Sequence, residues 1–341
     1  MITIVIFVCI QLLLKMQNIC LISFDYWNYD HHIVKNLQQK KHKAFHIKLG
    51  EFKHQNNWSQ IQNTISKIFL NKNPKIKKRE FYILEQLKKN GIQDQILVIN
   101  PELISKECHL EIKKYTKKYI AYLYDSVKRN PIEHLLNGIF DKIYSFDKED
   151  IKKYNFKEIS NYNYINISPH PGKNIIEKDV FYIASFDNRI AKLDDFSEQF
   201  KKLDISYRFI IAGKKATVFN FKKKISNQLE HLEFNRKFIN QKELLQLYLK
   251  TNVIIDLVRD NQSGLSFRVF EAMAFEKKII TNNANIKNYD FYNPNNILVI
   301  NECFKFEKTF FETPYQPIPQ EIFNKYTLDS WTNKIFNLNN Q

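Results

Sequence analysis

From residue 16 onward the chain alternates unbroken apolar runs with longer stretches in which apolar residues recur every three or four positions. "NICLISF" (18–24), "DQILVIN" (94–100), "YIAYLYD" (119–125), "VFYIAS" (180–185), "YRFIIAG" (207–213) and "NVIIDLV" (252–258) are of the first kind. Continuous apolar runs of this length mark strands buried on both faces of a parallel sheet. "KAFHIKL", "DKIYSFD", "LEFNRKFI", "KIITNN" and "NILVI" read as further, weaker strands. "DHHIVKNLQQKKH", "WSQIQNTISKIFL", "KREFYILEQLKKNG", "KLDDFSEQFKKL", "NQKELLQLYLKT" and "SFRVFEAMAFE" have helical spacing. "PELISKECHLEIKKYT" reads as a helix with Pro at its start, and Asn240 as an N-cap. Strands alternating with helices predict the α/β class, with a helix-covered parallel sheet.

The alternation breaks once. "YNYINISPHPGKNIIEKD" (162–179) places two Pro and one Gly in a polar setting and reads as a linker. The expected organisation is therefore an N-terminal α/β domain over 16–168, a C-terminal α/β domain over 169–326, and a closing helix over 327–341. Ligands of such sheets bind at the carboxyl ends of the strands. Two facing halves are expected to leave a cleft for a ligand between them. Residues 1–15, "MITIVIFVCIQLLLK", are too short an apolar run for a comfortable membrane span and lack the marks of a signal peptide. With a second Met at 16, they read as a start-site extension, with a short membrane anchor as the alternative.

Charge adds a constraint on partners. The chain has 52 Lys and Arg against 36 Asp and Glu, a net charge of +16. Nucleic acid, an anionic membrane surface and a phosphorylated substrate would each suit this balance, as would plain compositional bias toward Lys, Asn and Ile. No basic cluster interleaved with aromatics follows a nucleic-acid-binding motif, so nucleic acid is not expected as a partner. The four Cys, at 9, 20, 108 and 303, form no close pair and read as reduced thiols.

One stretch carries candidate chemistry. "QSGLSFRVFEAMAFEKKIITNN" (262–283) follows the strand "NVIIDLV" and opens a helix near Ser266. Gly264 would allow close backbone approach or a positive φ. Ser266 suits an N-cap. A helix N-terminus attracts phosphate through its free N–H groups and dipole. Arg268, in the first turn, can bind phosphate in bidentate fashion. Glu271, three residues on, lies on the same face and can accept sugar hydroxyls. A surface Arg–Glu pair on an ordinary helix would give the same letters.

This stretch resembles the donor-binding helix of GT-B-type glycosyltransferases, whose C-terminal domain carries a Glu in an "EAMA"-like helix start and then a hydrophobic strand, here "FEAMAFEKKIIT". From Met16 onward the chain resembles a bacterial glycosyltransferase group of lipopolysaccharide, capsule and exopolysaccharide biosynthesis. The shared pieces, in order, are "LISFDYWNYDHHIVKNL", "DQILVINPELIS", "YIAYLYDSVKRNP", "FDKIYSFDKEDIKKY", "FYIASFDNRI" and "QSGLSFRVFEAMAFEKKIITNN". The resemblance implies two Rossmann-like domains facing a central cleft. It implies a nucleotide-diphosphate sugar held mainly by the C-terminal half, and a glycan or lipid-linked glycan acceptor held mainly by the N-terminal half. It also implies no cofactor and no obligatory metal, and the sequence has no Asp-x-Asp triplet. Protein cations then have to meet the diphosphate, with Arg189 first and Arg268 second. The implied location is the cytoplasm, peripherally at the inner face of the bacterial membrane.

Many retaining members carry a second Glu eight positions before the one that Glu271 matches. Here that position is Ser263, so retention and inversion both stay open. An inverting enzyme needs a base on the acceptor hydroxyl. Asp25 and Asp125, at the carboxyl ends of strands, and His31, at a helix start, are the candidates; a helix cap or a surface histidine are their structural alternatives. Two other functions fit the same fold, a nucleotide-sugar 2-epimerase and a non-catalytic nucleotide-sugar or glycan-binding partner.

Overall fold

The computed structural model describes residues 16–25, 27–49, 74–165, 175–213, 231–237, 239–259, 262–301 and 303–338. The start-site extension, the helix read in "WSQIQNTISKIFL", residues 166–174 of the linker and most of "KKKISNQLEHL" lie outside them. The chain divides into two units. Unit 1 runs to Ser160 and resumes at Leu328; unit 2 is Asn161–Thr327.

Unit 1 holds β1 (Asn18–Ser23), α1 (Asp30–Gln39), β2 (Lys43–Lys48), α2 (Pro74–Asn90), β3 (Gln95–Ile99), α3 (Lys106–Lys113), β4 (Tyr119–Leu123), β5 (Lys142–Ser145), α4 (Lys148–Tyr154) and β6 (Lys157–Glu158). The strands form one sheet in the order β2-β1-β3-β4-β5-β6, and every pairing is parallel. All residues of β3 and β4 are buried, as the unbroken apolar runs require of strands covered on both faces. Cys20, Ile22, Ile96, Val98 and Ala121 share a core with Ile83 and Leu87 of α2 and Ile112 of α3. Pro101 opens a short 3-10 turn rather than α3; Ser105 caps that helix by accepting from the Cys108 amide at 3.2 Å.

Unit 2 holds β7 (Lys178–Ser185), α5 (Ala191–Lys202), β8 (Tyr207–Ala212), β9 (Leu232–Asn235), α6 (Gln241–Leu249), β10 (Thr251–Asp256), α7 (Phe267–Ala274), β11 (Lys278–Thr281), β12 (Ile297–Val299), α8 (Lys308–Glu312) and α9 (Gln320–Lys325). Its sheet, also parallel throughout, runs β12-β11-β10-β7-β8-β9. Numbered from β7, that is the Rossmann order, which reverses direction between the first and fourth strands. In unit 1 the reversal falls between β1 and β3. At such reversals neighbouring loops part and open a crevice at the carboxyl edge.

The last helix, α10 (Leu328–Phe336), belongs to unit 1 although it follows unit 2 in the chain. Trp331 packs edge-on against Tyr122 at 5.1 Å, and Gln95 donates to the Phe336 carbonyl at 2.8 Å. Lys40, the C-cap of α1, reaches the Asp329 carbonyl and the Thr332 hydroxyl, both at 2.9 Å. Among the described residues no helix is long and apolar enough to cross a membrane.

Candidate functional site

In unit 2 the strand reversal gathers charge. β7 ends at Ser185 and leads into Asp187 and Arg189; β10 ends at Asp256 and leads into Arg259. Arg189 grips Asp187 in bidentate fashion, at 2.8 and 2.7 Å, and donates to the Leu257 carbonyl at 2.7 Å. Arg259 donates to Asp187 and to the Ser185 hydroxyl, both at 3.1 Å. The Asp187 carboxyl is held below its usual range, because hydrogen bonds from Arg189 and Arg259 outweigh its partial burial.

Asp256 is fully buried, as an Asp inside an apolar strand must be, and needs a partner. Its Oδ1 accepts from Arg268 at 2.9 Å and from the Ser266 hydroxyl at 2.8 Å. Arg268 also donates to the Ile183 carbonyl at 2.7 Å. Burial works against the Arg268 charge, but Tyr248, Asp256 and Tyr182 prevail and hold its pKa above the ordinary value. Ser266 stands at the N-cap position of α7, yet its side chain caps nothing; the hydroxyl is spent on Asp256. Three arginines and two aspartates leave this cluster one positive charge in excess. Arg259 is the most exposed of the three, at 37% against 14% for Arg189 and 19% for Arg268.

Glu271 is buried and accepts from the Tyr164 hydroxyl at 2.5 Å. Gly264 has no positive φ; the positive-φ glycines of the described chain are Gly91, Gly138 and Gly213. Its carbonyl, with that of Ser263, is held by the Asn283 side chain at 3.0 and 3.3 Å. Asn285 takes the Ser263 carbonyl at 3.0 Å, and Asn282 pairs with both backbone groups of Val258. The loop between β10 and α7 is thus clamped from the end of β11.

In unit 1, Asp25 and His31 come together beside the strand reversal, while Asp125 lies elsewhere. Asp25 holds a left-handed backbone, φ 49°. Its Oδ1 accepts from the Asp30 amide at 2.9 Å and so caps α1. Its Oδ2 has His31 Nδ1 at 3.6 Å and Lys48 Nζ at 3.7 Å. Burial pushes the Asp30 carboxyl up to about 6 against hydrogen bonds from Ser23 and Tyr124. Burial likewise pulls His46, whose Nε2 meets the Ser23 hydroxyl at 2.8 Å, down to about 4. Asp125 pairs with Arg129 at 2.7 Å, next to Asn130 and Glu102.

Arg259, Asp187 and Asp256 escaped the reading of the sequence. Asp256 carried a signal, a lone carboxylate closing an apolar strand. Arg259 carried none.

Solved structures share this architecture. Sucrose-phosphate synthase from Thermosynechococcus elongatus superposes with a TM-score of 0.60 at 9% identity, over 95% of this chain and 98% of that one. A UDP-forming α,α-trehalose-phosphate synthase from Burkholderia xenovorans gives 0.57 at 12%, over 95% and 99%. An α-glucosyltransferase in complex with UDP-glucose and DNA containing an abasic site gives 0.54 at 13%, over 95% of both chains. At such identities the likeness is one of fold. The fold is the GT-B type, two Rossmann-like domains in one chain. No protein-family model and no curated protein matches the sequence.

Proposed function

We propose that the protein is a glycosyltransferase that moves a sugar from a nucleotide-diphosphate donor to a glycan acceptor. The observation that carries this reading is the arginine cluster at the strand reversal of unit 2, beside the N-terminus of α7. It sets three guanidiniums at the place where Rossmann-like sheets take nucleotides. The GT-B fold supports it, as does the α-glucosyltransferase of similar fold that was solved with UDP-glucose.

In this reading Arg259 and Arg189 face the diphosphate, with Asp187 setting the angle of both guanidiniums. Arg268 and Ser266 are organised by Asp256 under the start of α7, Gly264 lies in the clamped loop above, and Glu271 accepts ribose hydroxyls beside Tyr164. Protein cations rather than a metal meet the phosphate charge. In unit 1, Asp25 is the base on the acceptor hydroxyl, assisted by His31. Asp125, held by Arg129, is the weaker alternative. The acceptor is a surface glycan of the lipopolysaccharide, capsule or exopolysaccharide kind, reached from the cytoplasmic face of an anionic membrane, which the +16 charge favours.

A thermal-shift series with UDP-, GDP- and CDP-sugars, with and without EDTA, tests the donor. One base should stabilise the protein, by about 2.7 kcal/mol at a hundredfold excess over Kd, whether or not EDTA is present. Arg259→Ala should lose the nucleoside diphosphate and keep its weak response to the nucleoside. Unchanged diphosphate binding in both Arg259→Ala and Arg189→Ala would overturn the assignment. Stoichiometric epimer formation from donor alone would make the protein an epimerase instead.

A further inference from the structure

Glu271 lies one turn into α7 and is 2% exposed. Part of its cover comes from far back along the chain. Residues 161–165 run beside the start of that helix. Asn161 donates its side-chain amide to the Leu265 carbonyl at 2.9 Å, Tyr162 meets Phe267 edge-on at 5.1 Å, and Tyr164 gives its hydroxyl to Glu271 Oε1 at 2.5 Å. The backbone on both sides of Tyr164 is tied down. The Asn163 amide donates to the Tyr326 carbonyl at 2.7 Å, and the Ile165 amide to Asn163 Oδ1 at 2.8 Å. The Tyr164 ring can therefore turn about its own side-chain torsions while the segment stays in place.

The group that Glu271 accepts from here is a neutral hydroxyl. A phosphate in its place would be repelled by the carboxylate, and an apolar group would leave the carboxylate short of a bond. A hydroxyl from a ligand can take the same place with the count of hydrogen bonds unchanged. Arg268 stands three residues before Glu271, about 4.5 Å along the helix axis. A nucleotide with its phosphates at the arginine cluster carries its ribose hydroxyls within that reach.

We propose that Tyr164 determines how strongly the donor's ribose hydroxyls are read: its phenol holds the bond on Glu271 that a ribose hydroxyl takes over. The identity of the ligand rests on the donor reading given above. With the phenol present, a deoxyribose leaves the carboxylate paired with Tyr164, so the missing hydroxyl costs little. With the phenol removed, the same deoxyribose leaves a buried carboxylate short of a bond, and the hydroxyl becomes worth about tenfold or more in affinity.

Titration calorimetry on the full chain with UDP, GDP and CDP, each beside its 2′-deoxy and 3′-deoxy analogues, tests this. For the base it accepts, the wild type should bind ribo and deoxy forms within about threefold of each other. Tyr164→Phe should bind the ribo form several-fold more tightly and separate it from at least one deoxy form by about tenfold or more. Adding Glu271→Gln, which keeps the shape and removes the charge, should bring that separation back to a few-fold. A wild type that already separates the forms tenfold overturns the proposal, with no variant needed. So does equal separation in wild type and Tyr164→Phe, or a Tyr164→Phe protein that binds both forms equally more weakly, the mark of a residue that only supports the fold. These outcomes leave the donor reading standing. A wild type that binds none of the three diphosphates removes the donor reading, and the role of Tyr164 with it.

Discussion

A carboxylate or guanidinium out of water is organised rather than merely tolerated, and unit 2 shows how. Asp256 and Arg268 are both committed inside the unit, so their pairing fixes geometry more than it adds stability. Unit 1 buries a histidine by the same logic. His109 is fully buried, taking the Tyr119 hydroxyl at Nδ1 (2.7 Å) and donating from Nε2 to the Pro101 carbonyl (2.9 Å). Burial lowers its pKa from 6.5 to about 4. The unfolded chain therefore binds a proton between pH 6.5 and 4 that the folded chain refuses, and stability falls as pH falls through that window. The loss amounts to about 3 kcal/mol for the full shift. His46 acts in the same direction, while Asp30, raised from 3.8 to about 6, acts in the opposite one. Melting temperature against pH for wild type and His109→Gln separates them. The gap between the two should be widest above pH 6.5 and should have narrowed by pH 4. A constant gap would contradict this account.

Elements and their junctions differ in how much of them the chain announces. The loop from β10 to α7 is set by Asn283, which is buried and holds two of its carbonyls. Asn283→Ala strands those carbonyls and should cost about 1–3 kcal/mol. Amide exchange across 262–267 should rise and donor affinity should fall, although Asn283 itself need touch no ligand. Unchanged exchange would show that the clamp is incidental. The strands themselves were legible: the runs "ILVI", "YIAYL" and "VII" are apolar throughout because both faces are covered there, and each lies within a strand. The helix start at Ser266 was legible for the same local reason. What its side chains do was not. Ser266 and Arg268 answer to Asp256, and Glu271 answers to Tyr164, 107 positions away. Residue spacing along a helix face carries no trace of a partner brought in by the fold. The same holds for α10, whose own pattern is helical but whose place in unit 1 depends on a slot built from residues far earlier in the chain, 241 positions for Gln95 and Phe336 and 296 for Asn36 and Thr332.

For the whole molecule, the sequence of unit 2 is an insertion in that of unit 1. Trp331, Ile335 and Phe336 are buried, and each such side chain contributes about 1.5–3 kcal/mol when withdrawn from water. Truncation after Thr327 should lower the melting transition of unit 1, leave that of unit 2 unchanged, and expose apolar surface that binds a hydrophobic dye. Equal loss in both transitions, or none, would refute the assignment of α10. The order of elements also sets a timetable. A ribosome makes α10 after every strand of both sheets, at about 5–20 residues per second. Unit 2 can therefore finish folding first, although unit 1 is begun earlier. Throughout that interval the seat of Trp331 against Tyr122 is vacant on the nascent chain, a surface that a chaperone could occupy until the final helix arrives and displaces it.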